Sequence, residues 1–163
     1  MQAAGPWSQR PAWVLRRRVL PQHTDHAGVM WHGAYLGMLE EARVEALAAV
    51  GLEYGALSAR GLELPLVSLA IDYRLALVHG EQVELRSMAL PRQGLRWPWQ
   101  SAFLNAAGQV AAEARVELVL LERSAVGQPR PRLLRRPPPD LAAALAALAS
   151  GPVTEKDGTF VLK

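Results

Sequence analysis

Two hydrophobic periods divide this chain. Across residues 34–50, Tyr35, Leu36, Leu39, Ala42, Ala46, Leu47 and Val50 recur at helical spacing, while Glu40, Glu41 and Glu45 lie mostly off that stripe. The pattern predicts one long helix, closed by Gly51 as a C-terminal cap. Residues 52–61 read as a short second helix or turn ending at Gly61. Elsewhere the period falls to two. Residues 13–22 read as a strand, with apolar positions interleaved with Arg16, Arg17 and Arg18. Residues 62–75 are extended, with Pro65 near the start, where a strand tolerates it. Residues 82–90 alternate, and residues 95–105 put Leu95, Trp97, Trp99, Ser101 and Phe103 on one face. Pro98 within that run predicts an edge strand or a bulge. Asn105 to Gly108 reads as a hairpin turn. In residues 109–121, Ala112, Ala114, Val116, Leu118 and Leu120 face one way, and Glu113, Arg115 and Glu117 the other.

The order is strand, long helix, then consecutive strands on short links. Such links favour antiparallel pairing, and a mostly apolar helix has to be covered by the sheet. The expectation is an α+β fold with a curved antiparallel sheet wrapped around a long central helix. Residues 1–12 are expected to be a flexible leader, and residues 13–127 the folded domain. Residues 128–163 are expected to hold a Pro/Arg-rich linker, a short Ala/Leu helix over 141–149 capped by Asp140, and a loose end.

Composition narrows the chemistry. A chain of 163 residues that is half hydrophobic can bury one real core. The absence of Cys excludes a disulfide, a thiolate nucleophile and a Cys-ligated zinc, and permits a reducing compartment. The first dozen residues lack a signal-type apolar segment and no apolar run approaches membrane-spanning length, so a cytoplasmic protein without membrane contact is expected. The net charge of +3 comes mainly from Arg, clustered at Arg16–Arg18 and at Arg130, Arg132, Arg135 and Arg136. These clusters are either a solvated face and tail or a site for an anion. No nucleic-acid motif accompanies them, so a phosphorylated small molecule is favoured over nucleic acid.

Asp25 follows the first strand and precedes the long helix. A carboxylate there lies near the positive end of the helix dipole and its unpaired N–H groups. Those groups near Trp31 and His32 suit the oxyanion formed when a carbonyl is attacked, with Asp25 attacking directly or activating water. Gly28 and Gly33 allow a sharp turn and a close ligand approach. The competing reading makes Asp25 a turn or helix cap. His23, His26 and His32 are crowded but match no zinc spacing, so no metal is expected, and no cofactor. The Trp97, Trp99 and Phe103 face either stacks an aromatic acyl group or is core. Ser101 lacks the elbow context of a serine nucleophile.

The run Thr24-Asp25-His26-Ala27-Gly28-Val29-Met30-Trp31-His32-Gly33-Ala34-Tyr35-Leu36, followed by Glu41-Ala42-Arg43, resembles the opening motif of the 4-hydroxybenzoyl-CoA thioesterase-like acyl-CoA thioesterases. The likeness extends over about residues 14–121. It implies a hotdog fold, dimers paired edge to edge and often joined as tetramers, and active sites at the subunit interface. It implies Asp25 as the catalytic carboxylate and the His32 N–H as oxyanion donor, with the His32 side chain helping to orient the thioester. Gly28, Trp31, Gly33 and Tyr35 fall within the same motif as substrate-binding positions. Arg74, Arg92 and the Arg130–Arg136 cluster are candidates for the coenzyme A phosphates. The implied reaction is hydrolysis of an acyl- or aroyl-CoA, with 1,4-dihydroxy-2-naphthoyl-CoA a named option and a carrier-protein thioester another. A non-catalytic acyl-CoA-binding protein acting through a partner is the alternative. His23 and His26 depart from the family pattern in a way that alters polarity around Asp25.

Overall fold

The computed structural model describes residues 7, 11–123, 130–153 and 161–162. The expected leader, apart from its last residues and Trp7, lies outside them, as do residues 154–160 of the expected loose end. Strand β1 (Trp13–Arg18) leads through a single 3-10 turn (Pro21–His23) to helix α1 (His32–Ala49). Helix α2 (Tyr54–Ala59) and the short strand β2 (Leu62–Glu63) follow. Strands β3 (Leu66–Tyr73), β4 (Gln82–Ala89), β5 (Arg96–Leu104) and β6 (Val110–Val119) build the sheet. Strands β7 (Leu121–Glu122) and β8 (Arg132–Leu133), helix α3 (Pro139–Ser150) and strand β9 (Val161–Leu162) complete the chain.

The main sheet runs β3-β6-β5-β4-β1-β9, and β2-β7-β8 form a small second sheet. All neighbours in the main sheet are antiparallel except β9, which lies parallel to β1. Helix α1 lies across one face of this sheet. Ala42 and Ala46 are fully buried, small enough to bring the helix backbone close to the strands. Leu85, Phe103, Ala112, Ala114 and Val116 are buried in the same core. Each large apolar side chain so buried contributes about 1.5–3 kcal/mol. The opposite face carries Glu84, Arg86, Glu113, Arg115 and Glu117, as the alternation in β4 and β6 requires.

Four expectations are corrected. Strand β5 is interior, flanked by β4 and β6, although it holds Pro98. The carbonyl of Pro98 accepts from Leu90 N, one residue beyond the end of β4, so its missing N–H falls where that ladder is already leaving. Asp140 does not cap α3: Pro138 is the N-cap residue, and the Asp140 carboxylate pairs with Arg60 at 2.7 Å. Trp7 is buried rather than part of a loose leader, and Val161–Leu162 form a strand rather than a free end. Helix α3 itself belongs to the core through Leu141, Leu145 and Leu148. No described helix is long and apolar enough to cross a membrane.

Candidate active site

Asp25 is fixed by the loop it organises. Its Oδ1 accepts from Ala27 N at 2.8 Å and from Val29 N at 3.2 Å, and its own N–H donates to Val29 O. Gly28 turns the loop at a positive φ of 75°, and its N–H donates to Asp25 O. Thr24 and Met30 then bridge across the base of the turn. The segment after β3 clamps the loop from outside: Met30 N donates to Leu77 O, and His79 N to Gly28 O. One carboxylate oxygen is therefore used structurally. The second, Oδ2, has no hydrogen-bond partner among the described residues, and Asp25 is exposed.

The helix start supplies the complementary polarity. Trp31 is the N-cap residue of α1, without a side-chain cap. Its N–H is spent on His23 O at 3.0 Å, and Ala34 N returns to Trp31 O. The N–H groups of His32 and Gly33 are left as first-turn donors. Of the two expected donors, the Trp31 N–H is thus engaged, and the His32 N–H is the one that borders the cavity. The Trp31 ring covers Gly33 so closely that a Cβ there would fall 2.1 Å from it. Gly33 makes room for this ring, and the ring meets His32 edge-on at 5.1 Å.

Asp25, Trp31, His32, Tyr35 and Arg74 line one open cavity of about 830 Å³. Gly28 sits at the turn behind it, and Gly33 lines a separate hollow beside Gly37 and Met38. Of the histidines, His26 and His32 border the cavity, whereas His23 Nδ1 accepts from Leu20 N. Among the described residues no three His, Asp or Glu side chains gather as metal ligands. The Tyr35 ring packs edge-on against Tyr73 at 5.0 Å and Phe103 at 4.9 Å. Burial pushes its phenol up to about 12, with Tyr73 and Glu81 adding to the effect.

Of the basic candidates, only Arg74 reaches the cavity; its guanidinium pairs with Glu113. Arg92 lies over the Trp97 ring at 5.2 Å, and Arg132 pairs with Glu122. Trp99 and Phe103 are core, and Ser101 shares a buried hydrogen bond with Ser87. Tyr73 is a cavity residue that sequence reasoning missed. Its signal was an aromatic at the last position of a strand whose apolar residues alternate, on the same face as Leu69 and Ile71.

Comparison with known proteins bears on the family and the fold. Residues 19–145 match the sequence model of the thioesterase-like superfamily. A Synechocystis sp. protein that carries the name esterase is 36% identical over 123 residues, covering 75% of this chain and 71% of the relative. The crystal structure of a hypothetical protein from Thermus thermophilus superposes with a TM-score of 0.70 at 31% identity, covering 83% of this chain and 98% of that one. A DHNA-CoA thioesterase from Staphylococcus aureus superposes with a TM-score of 0.73 at 21% identity, covering 93% and 99%. The chain belongs to the thioesterase-like superfamily, with the hotdog fold and the thioester-hydrolase chemistry of that group.

Proposed function

We propose that this superfamily member hydrolyses an acyl- or aroyl-coenzyme A thioester at the cavity that holds Asp25. The observation that carries the reading is the split role of the Asp25 carboxylate: one oxygen staples the loop, and the other is unpartnered at the cavity, next to a helix start. The thioester carbonyl takes the free oxygen, or a water that it activates, as nucleophile. The developing oxyanion is met by the N–H group of His32, oriented in advance by α1. The tetrahedral intermediate collapses with cleavage of the C–S bond. The thiol leaves with one proton, and the acid takes the hydroxyl of water. No bound metal is required for these steps.

Trp31 and Tyr35 form the apolar walls, and Arg74 offers the cavity's guanidinium to a phosphate of the substrate. The DHNA-CoA thioesterase likeness makes an aryl thioester, including 1,4-dihydroxy-2-naphthoyl-CoA, the first substrate to try. The second element of the proposal is a second copy of the chain. Strand β3 has no partner on its outer edge among the described residues, and Leu66, Val67, Leu69 and Tyr73 are exposed along it. An apolar, unpaired edge next to the cavity suits edge-to-edge pairing with a second protomer, which would complete the cavity's open side.

The test is a thiol-release assay across aliphatic and aromatic coenzyme A thioesters. Turnover of at least one of them, at a rate well above spontaneous hydrolysis, is the expected result. No release from any member of the panel contradicts the proposal.

A further inference from the structure

Glu113 links two parts of the molecule that are far apart in sequence. Its Oε1 accepts from Trp7 Nε1 at 3.1 Å, and its Oε2 accepts from Arg74 Nη2. Trp7 is buried and lies on the charged face of the sheet, where Arg86 Nη1 also donates to its carbonyl at 2.9 Å. Arg74 follows the last residue of β3, and its N–H and that of Leu75 both donate to Ala111 O. Its backbone is therefore fixed, while its side chain is more than half exposed. A free Arg side chain carries about 2 kcal/mol of rotamer entropy, and anchoring one edge of the guanidinium removes part of that cost before a ligand arrives.

Resting on the reading of Arg74 as a phosphate-binding residue, we propose that Glu113 and Trp7 are positioning residues for substrate recognition. Glu113 holds one Nη group of Arg74 on the sheet side and leaves the remaining donors of the fork for an anionic oxygen of the substrate. Trp7 in turn fixes the Glu113 carboxylate through its ring N–H. Trp7 thus influences the grip on the coenzyme A half of the substrate without touching it. The opposite role is a competing one, in which Glu113 occupies Arg74 and weakens its hold on phosphate. The two roles differ in sign.

The test measures binding of two probes by calorimetry, coenzyme A and pantetheine, which lacks the nucleotide and its phosphates. Positioning predicts that Glu113→Ala weakens coenzyme A by about three- to tenfold and pantetheine by much less. Glu113→Gln keeps an acceptor oxygen for only one of the two donors, which sit on different carboxylate oxygens, and falls between Glu113→Ala and the native protein. Trp7→Phe keeps the ring and loses the N–H, and weakens coenzyme A by about twofold. Tighter or unchanged coenzyme A binding in Glu113→Ala overturns the proposal, as does an equal loss for both probes. Arg74→Ala separates the premise from the inference. If it leaves coenzyme A affinity unchanged, the reading of Arg74 is wrong; if it weakens binding while Glu113→Ala does not, only the positioning role is wrong. A native protein that binds no coenzyme A overturns both.

Discussion

The two edges of the main sheet are finished in opposite ways. At one edge, Trp13, Val14 and Leu15 of β1 are buried, with Leu15 only 1% exposed. Strand β9 pairs along that edge, and the Trp13 indole donates to Leu148 O of α3 at 3.1 Å. The C-terminal part of the chain thereby closes it. At the other edge, β3 carries comparable side chains, yet Leu69 is 39% and Tyr73 53% exposed. An open edge with apolar side chains is an aggregation hazard unless something specific occupies it. The cavity with Asp25 lies at the end of this open edge, next to Tyr73 and Arg74. The closed edge is built into the fold, and the open edge is where the second copy and the chemistry are proposed.

That contrast can be broken by experiment. The largest effect is expected at the open edge. Leu69→Glu places a charge where a second copy is proposed, and should weaken self-association by on the order of a hundredfold. Light scattering should then report a monomer whose melting curve is little changed and whose thioesterase rate is greatly reduced. An intact dimer would remove β3 from the interface. At the closed edge the outcome should reverse. Leu148→Ala empties a position that is 2% exposed. It should cost about 2–5 kcal/mol in urea unfolding without altering the oligomer. A change in assembly with unchanged stability would contradict the division.

The smallest effect concerns Tyr35, buried between Tyr73 and Phe103. Its folded-state pKa, raised to about 12, lies above the ordinary value near 10. The fold therefore favours the protonated phenol. That contribution is complete below pH 10 and is lost as pH rises towards 12. Tyr35→Phe should flatten the alkaline fall in stability over that window. An unchanged slope would show that Tyr35 does not titrate there.

The sequence revealed the long helix most clearly, because residues 34–50 satisfy helical spacing and end at a glycine that takes a positive φ of 82°. The Asp25 loop was legible for a similar reason: the turn needs Gly28, and the helix has to start close behind it. The rest depended on contacts that sequence spacing does not encode. Pro98 suggested an edge only on the assumption that neighbouring strands run past it, whereas β4 ends at Ala89. Asp140 had the composition of a cap, but Pro138 holds the cap position and Arg60 takes the carboxylate. Trp7 and Val161–Leu162 join the fold through partners far away in sequence, Glu113 and β1. The bond between Arg74 and Glu113 required the register of β3 on β6, which sets Asp72 opposite Glu113.

The most direct test of the account is the rate of thiol release by Asp25→Asn, measured on whichever thioester the native protein turns over. The amide keeps an oxygen for the loop N–H groups of Ala27 and Val29, so the fold and coenzyme A binding should be preserved. The carboxylate's role as nucleophile or base is lost. A fall in kcat on the order of a hundredfold to ten-thousandfold is expected, with coenzyme A affinity unchanged. Native turnover by the mutant would contradict it and leave Asp25 as a loop staple alone.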